Sequence, residues 1–180
     1  MKTPAALLLA LPLFACASME EEIVAGNLPT PYTASQIQES CAPGTVVVFR
    51  IETPGGAPML QSTEFVGDDG ANATFLARST DEAGQPLGNP REATAPWSEL
   101  RDHASFPASA TTREPARCTT ALGTFDAWLY ENTERVEGRP DQVHRFWFAH
   151  DLPGPPVLLE TSVEGEVVMR MEMVARTGRD

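Results

Sequence analysis

The sequence predicts a mainly β fold of the α+β class: a curved antiparallel sheet or half-barrel carrying two short helices. Three observations point to it. Apolar and polar residues alternate with period two, most plainly where Val167, Met169, Met171 and Met173 interleave with Glu166, Val168, Arg170 and Glu172. Turn residues punctuate these runs at hairpin spacing, at Pro54-Gly55-Gly56, Gly67-Asp68-Asp69-Gly70 and Glu164-Gly165. Only two short stretches carry helix signals.

The first helix begins at Thr33. Thr33 and Gln36 have capping-box spacing, and Tyr32 and Ile37 can close a hydrophobic staple. It ends near Cys41, because Pro43-Gly44 cannot continue it. A strand follows over 45–53, with Val47, Phe49 and Ile51 on one face and Val46, Val48, Arg50 and Glu52 on the other. Strands are expected next over 59–66 and 72–79. The Asp68-Asp69 pair between them reads as a hairpin turn, since the ligand order and distal Glu of a calcium loop are absent. Residues 84–95, with Pro86, Gly88 and Pro90, read as loop. Thr94-Ala95-Pro96 opens the second helix, whose inward stripe is Trp97, Leu100 and Ala104, with His103 continuing it as a packed residue.

Residues 108–115 suggest an edge strand. From Gly123-Thr124 the pattern is a four-strand meander over 125–131, 142–149, 157–163 and 166–175. The second of these is apolar on both faces, Phe146 and Phe148 opposing Val143 and Trp147, so it is expected inside the sheet.

The N-terminus bears on location. Lys2 precedes an apolar run over 5–14, too short to span a bilayer, that ends in Leu13-Phe14-Ala15-Cys16. This stretch resembles the lipobox of bacterial lipoproteins, although Phe14 departs from the usual small or β-branched residue. The resemblance implies cleavage before Cys16 and lipidation of that cysteine. The expected division is a signal peptide over 1–15, a lipid-anchored tether over 16–30 rich in acid and turn residues, and one β-rich domain over 31–180. Ala17, rather than aspartate, follows the cysteine, which the same resemblance reads as an outer-membrane location in a two-membrane envelope.

Lys2 is the only lysine, so the chain after cleavage holds 12 Arg against 25 Asp and Glu, a balance of −13. Such a surface repels phosphate backbones, and nucleic acid is excluded as a partner. With Cys16 assigned to the anchor, Cys41 and Cys118 form an even pair in an exported chain, and a disulfide between them is expected.

No catalytic residue, metal-ligand set or cofactor motif stands out. Asp102-His103 and His150-Asp151 are sequence neighbours, and strand neighbours face opposite sides. Residues 120–175, including Gly123-Thr124-Phe125-Asp126-Ala127-Trp128 and the aromatic strand after it, resemble uncharacterised periplasmic proteins and lipoproteins with a lipoprotein-carrier-like half-barrel. That resemblance implies an apolar face able to hold acyl chains. Val167, Met169, Met171, Met173 and Trp147 are its candidate residues, and thioethers suit irregular apolar ligands. The expected function is therefore non-catalytic: an envelope protein binding an apolar or acyl-chain ligand. A structural or protein-interaction module with a filled core is the alternative, and an enzyme the third.

Overall fold

The computed structural model describes residues 24–178. The signal segment, the lipobox with Cys16 and the acidic part of the tether lie outside the described residues. The fold class is as the sequence indicates. Among the described residues two short helices, α1 (Ala34–Ser40) and α2 (Trp97–Asp102), accompany nine strands. These are β1 (Val46–Glu52), β2 (Met59–Asp68), β3 (Asn72–Asp81), β4 (Arg91–Pro96), β5 (Thr111–Thr120), β6 (Gly123–Glu134), β7 (Gln142–Ala149), β8 (Leu158–Val163) and β9 (Glu166–Thr177). They form one open antiparallel sheet in the order β4-β3-β2-β1-β9-β8-β7-β6-β5. The last strand is the middle one, joining two meanders.

The local signals act as expected in α1. Thr33 accepts from the Gln36 N–H while the Gln36 side chain accepts from the Thr33 N–H, and Tyr32 and Ile37 are both buried. The β8–β9 turn also holds: Glu164 and Gly165 both have positive φ, 52° and 86°, the combination a tight two-residue hairpin needs. β4 falls where a loop was expected. Its residues are exposed apart from Ala95, so an edge strand with no buried face left no alternating apolar signal.

Paired residues on antiparallel strands project to the same side of a sheet. One row runs through Tyr130, Phe146, Leu159, Met171 and Ile51. The opposite side carries Leu129, Trp147, Leu158, Glu172 and Arg50. The first face lies under the helices and is called inner here. On the outer face, the β5–β6 hairpin runs past the end of β7 and folds back over the sheet. The Ala121 N–H donates to a Glu172 carboxylate oxygen at 2.6 Å, although four strand spacings separate β5 from β9. A flat sheet would hold those strands about 19 Å apart, so this half of the sheet is strongly curled.

Three expectations are corrected by this geometry. Cys41 and Cys118 are both free. Cys41 caps α1 on the inner side, whereas Cys118 pairs with Phe125 in the register that places Ala127, Ala149 and Trp147 on the outer face. The sheet stands between the two thiols. The methionine stripe is interrupted, because Thr161 pairs with Met169 while its neighbour Ser162 pairs with Val167. The extra residue, Val168, is a β-bulge that turns Val167 off the methionine face, where it is 44% exposed. Trp147 lies on the outer face, opposite Met171. His103, the residue that ends α2, is exposed rather than packed, whereas Ala104 beyond it is buried.

Candidate functional site

An apolar cavity of about 410 Å³ lies between the two helices and the inner face of the sheet. Its floor includes Phe65, Phe75, Phe146, Leu159 and Met171. Its roof is Tyr32 and Ile37 at α1 and Leu100 and Ala104 at α2, and the Gly154-Pro155-Pro156 segment closes one side. The volume falls in the range of small-molecule sites, which are mostly apolar with few polar groups.

Strand alternation delivers the floor: residues two apart on β7 and β9 project to one side, and the register aligns them. Hydrogen bonds to a few polar groups hold the roof. Asp68, at the end of β2, accepts from the Gln38 amide of α1 at 2.9 Å, from the Trp97 indole of α2 at 3.0 Å and from the Gly70 N–H at 2.8 Å. These donors, Gln38 first, hold its carboxyl below the usual range. One exposed carboxylate therefore fastens both helices to the β2–β3 hairpin. Trp97 also stacks on Phe65, ring centroids 6.0 Å apart. The Tyr32 hydroxyl donates to the Ala149 carbonyl, and burial raises its pKa well above the ordinary phenol value. The Tyr130 hydroxyl donates to the Pro29 carbonyl at 2.6 Å, pinning the chain just before α1.

Of the sequence-derived candidates, Met171 lines the cavity. Met173, on the same face, is fully buried in a neighbouring core cluster with Val47, Phe49 and Val157. Met169, Val167 and Trp147 are not part of the lining. Phe65, Phe75 and Leu159 were not singled out in the sequence, because helix stripes and strand alternation mark a dry face without telling a filled space from an empty one.

The lining is mostly apolar. Its titratable side chains are Tyr32, Cys41, Arg101 and His103, and no carboxylate joins them. Arg101 is ion-paired with Asp102 at 2.6 Å. His144 instead meets Glu134 and Thr161, and His150 lies against the Trp128 ring. The three histidines are thus not brought together. Among the described residues there is no group of three or more His, Cys, Asp or Glu able to hold a metal. Nor is any helix among them long and apolar enough to cross a membrane.

No protein-family model and no curated protein matches the chain. Solved structures do match its fold. A structure of the Pseudomonas aeruginosa MucA/MucB complex aligns with a TM-score of 0.52 at 13% identity, over 80% of this chain and 56% of that one. MucB in complex with MucA(peri) aligns with a TM-score of 0.51 at 12% identity, over 80% of this chain and 53% of that one. MucB alone gives 0.52 at 13%, over 78% and 55%. The chain therefore spans a little over half the length of these structures. At such identities the likeness is one of fold.

Proposed function

We propose that this chain is a non-catalytic, lipid-anchored protein of the bacterial envelope that holds an apolar or acyl-chain ligand between its helices and its sheet. The observation that carries the reading is the cavity of about 410 Å³ walled by Phe65, Phe75, Phe146, Leu100, Leu159 and Met171. An unfilled apolar space of this size forfeits the dispersion contacts its walls would otherwise make, and an apolar ligand restores them. Lipidation at Cys16 places the domain in the periplasm, at the outer membrane, within reach of acyl chains. A second reading, docking to another envelope protein, is favoured by the fold likeness to structures of MucB in complex with MucA.

Titration with cis-parinaric acid tests the first reading. Soluble Cys16→Ser protein, which carries no acyl chain of its own, should bind with saturable fluorescence enhancement, and adding Leu100→Trp, which extends a ring into the cavity, should weaken binding at least tenfold. Absence of binding by this folded, unlipidated protein removes the reading and leaves the interaction module. Cys16→Ser should release the protein from the membrane fraction; a variant that still pellets and matures like the parent removes the anchor.

A further inference from the structure

We propose that the cavity's occupant is an acyl chain of the protein's own Cys16 anchor, captured in cis. This deepens the reading above and rests on it. The argument starts from where the chain meets the domain. The end of the segment expected as tether is bonded to the loop after α2: the Ala108 N–H donates to the Gly26 carbonyl at 2.9 Å, the Leu28 N–H to the Phe106 carbonyl at 2.9 Å, and the Asn27 amide to the Ser105 hydroxyl at 2.8 Å. That loop follows directly on Ala104 and His103, which line the cavity, and Pro31, five residues beyond Gly26, lines it too. The chain therefore joins the domain at the rim of the cavity rather than at a remote surface.

Nine residues lie between Cys16 and Gly26. Their contour length is at most about 35 Å, so the lipidated cysteine is confined to the neighbourhood of this rim. Confinement of that kind gives a chain-linked group an effective concentration on the order of millimolar. A free fatty acid or a membrane lipid has no such advantage. The transfer itself is nearly balanced, since the chain leaves one apolar medium for another. Two terms then tilt it towards capture: the effective concentration, and the dispersion contacts regained when an apolar void is filled.

The size of the space sets the stoichiometry. At about 30 Å³ per water-sized group, a cavity of about 410 Å³ takes roughly 14 such groups, enough for one long acyl chain. An anchor bearing further chains keeps those in the bilayer. The protein would remain on the membrane with its roof helices drawn to the surface, and the cavity would be closed to other ligands until that chain withdrew.

The test uses the full chain in native membranes. Cells are fed a fatty acid carrying a diazirine and an alkyne, so that the photoreactive chain is incorporated at Cys16. After irradiation, cross-linked peptides are mapped from a mixture of isotopically heavy and light protein. The expected result is a cross-link from the Cys16 lipid to peptides containing Leu100 or Met171 within one polypeptide, heavy to heavy and light to light. Leu100→Trp should lower its yield at least fivefold. Cross-links confined to membrane lipids overturn the proposal, as do heavy-to-light cross-links, which mean capture in trans. Soluble Cys16→Ser protein titrated with cis-parinaric acid separates the two levels. Binding there without an intramolecular cross-link removes self-capture and keeps the ligand site; no binding there removes both.

Discussion

Arg176 reaches across the end of β9 to the C-terminus of α1, its guanidinium donating to the Ser40 carbonyl at 2.5 Å and to the Ser40 hydroxyl at 2.6 Å. A β-bulge makes this contact. Val48 pairs with Ala175 but Phe49 pairs with Met173, so Val174 is the extra residue. Simple alternation from Met173 would send Arg176 to the outer face. The bulge instead pairs it with Val47 on the inner face, where it meets the unpaired carbonyls of a helix end and adds a favourable charge there.

Arg176→Met keeps most of the apolar stem and removes the donors. It should cost about 1.5–3 kcal/mol in denaturant unfolding, the usual worth of hydrogen bonds to a charged group. Arg117→Met is the control: its ion pair with Asp126, at 3.4 Å, lies between side chains 78% and 74% exposed. That change should fall within about 0.5 kcal/mol. Equal losses in the two variants would show that Arg176 does not hold α1.

Gly154 stands where the segment beside the cavity passes closest to α1. Its φ is +137°, and a Cβ there would lie 3.1 Å from the Cys41 sulfur and 3.5 Å from an Arg176 guanidinium nitrogen. Gly154→Ala should therefore combine backbone strain of about 1–3 kcal/mol with a steric cost. Gly123→Ala isolates the first part, since Gly123 has a φ of +140° and open space around it. In a Cys41→Ala background the penalty of Gly154→Ala should shrink by the steric share. A penalty unchanged by Cys41→Ala would place the whole cost in the backbone.

How much of this was legible in the sequence depends on the range of the signal. The α1 capping box, the Glu164-Gly165 turn and the alternation of β1 and β7 are local, and they identify the elements. The bulges at Val168 and Val174 are not local. They mark where the register of β9 slips, against β8 at Val168 and against β1 at Val174, and a one-residue slip reverses every side chain beyond it. That is why Val167 leaves the methionine face and Arg176 joins the inner one. The free Cys41 and Cys118 have the same origin, because pairing them from even number alone ignores which side of the sheet each occupies. The cavity was the least legible part, since a buried phenylalanine reads the same whether its neighbour is another ring or a void.

Met171 and Met173 provide the direct comparison. They share a face and a strand, but Met173 is fully buried while Met171 borders the cavity. Met173→Ala should leave a new void and cost about 2–5 kcal/mol. Met171→Ala only enlarges a space already present, so its cost should sit at or below the bottom of that range while fatty-acid affinity shifts. Thermal melts of the two variants beside the parent measure the difference. Equal large losses would mean that the space around Met171 is filled by protein in solution.

The two thiols carry a pH dependence whose sign follows from their burial. Burial pushes the Cys118 thiol up to about 11 from an ordinary value near 9, with Arg170 opposing it and Glu172 and Glu160 adding to it. Burial likewise raises Cys41, against the charge and hydrogen bond of Arg176. A folded-state pKa above the unfolded one means that the fold favours the protonated thiol. The Cys118 contribution is then fully present below about pH 9 and is lost as the pH rises to about 11. Tyr32 and Tyr130, also raised by burial, titrate in the same direction, so the useful quantity is a difference between two proteins. Stability of the parent should fall more steeply between pH 8.5 and about 11 than that of Cys118→Ala. Below pH 8 the difference between them should be flat and report only the cost of truncation. Alkylation gives an independent check. With no reductant present, the native protein at pH 8 should take up iodoacetamide slowly, because the thiolate is the nucleophile and both sulfurs are covered. In urea both cysteines should label fully. Failure to label in urea without reductant would mean that Cys41 and Cys118 are joined, and that the sheet does not separate them as described.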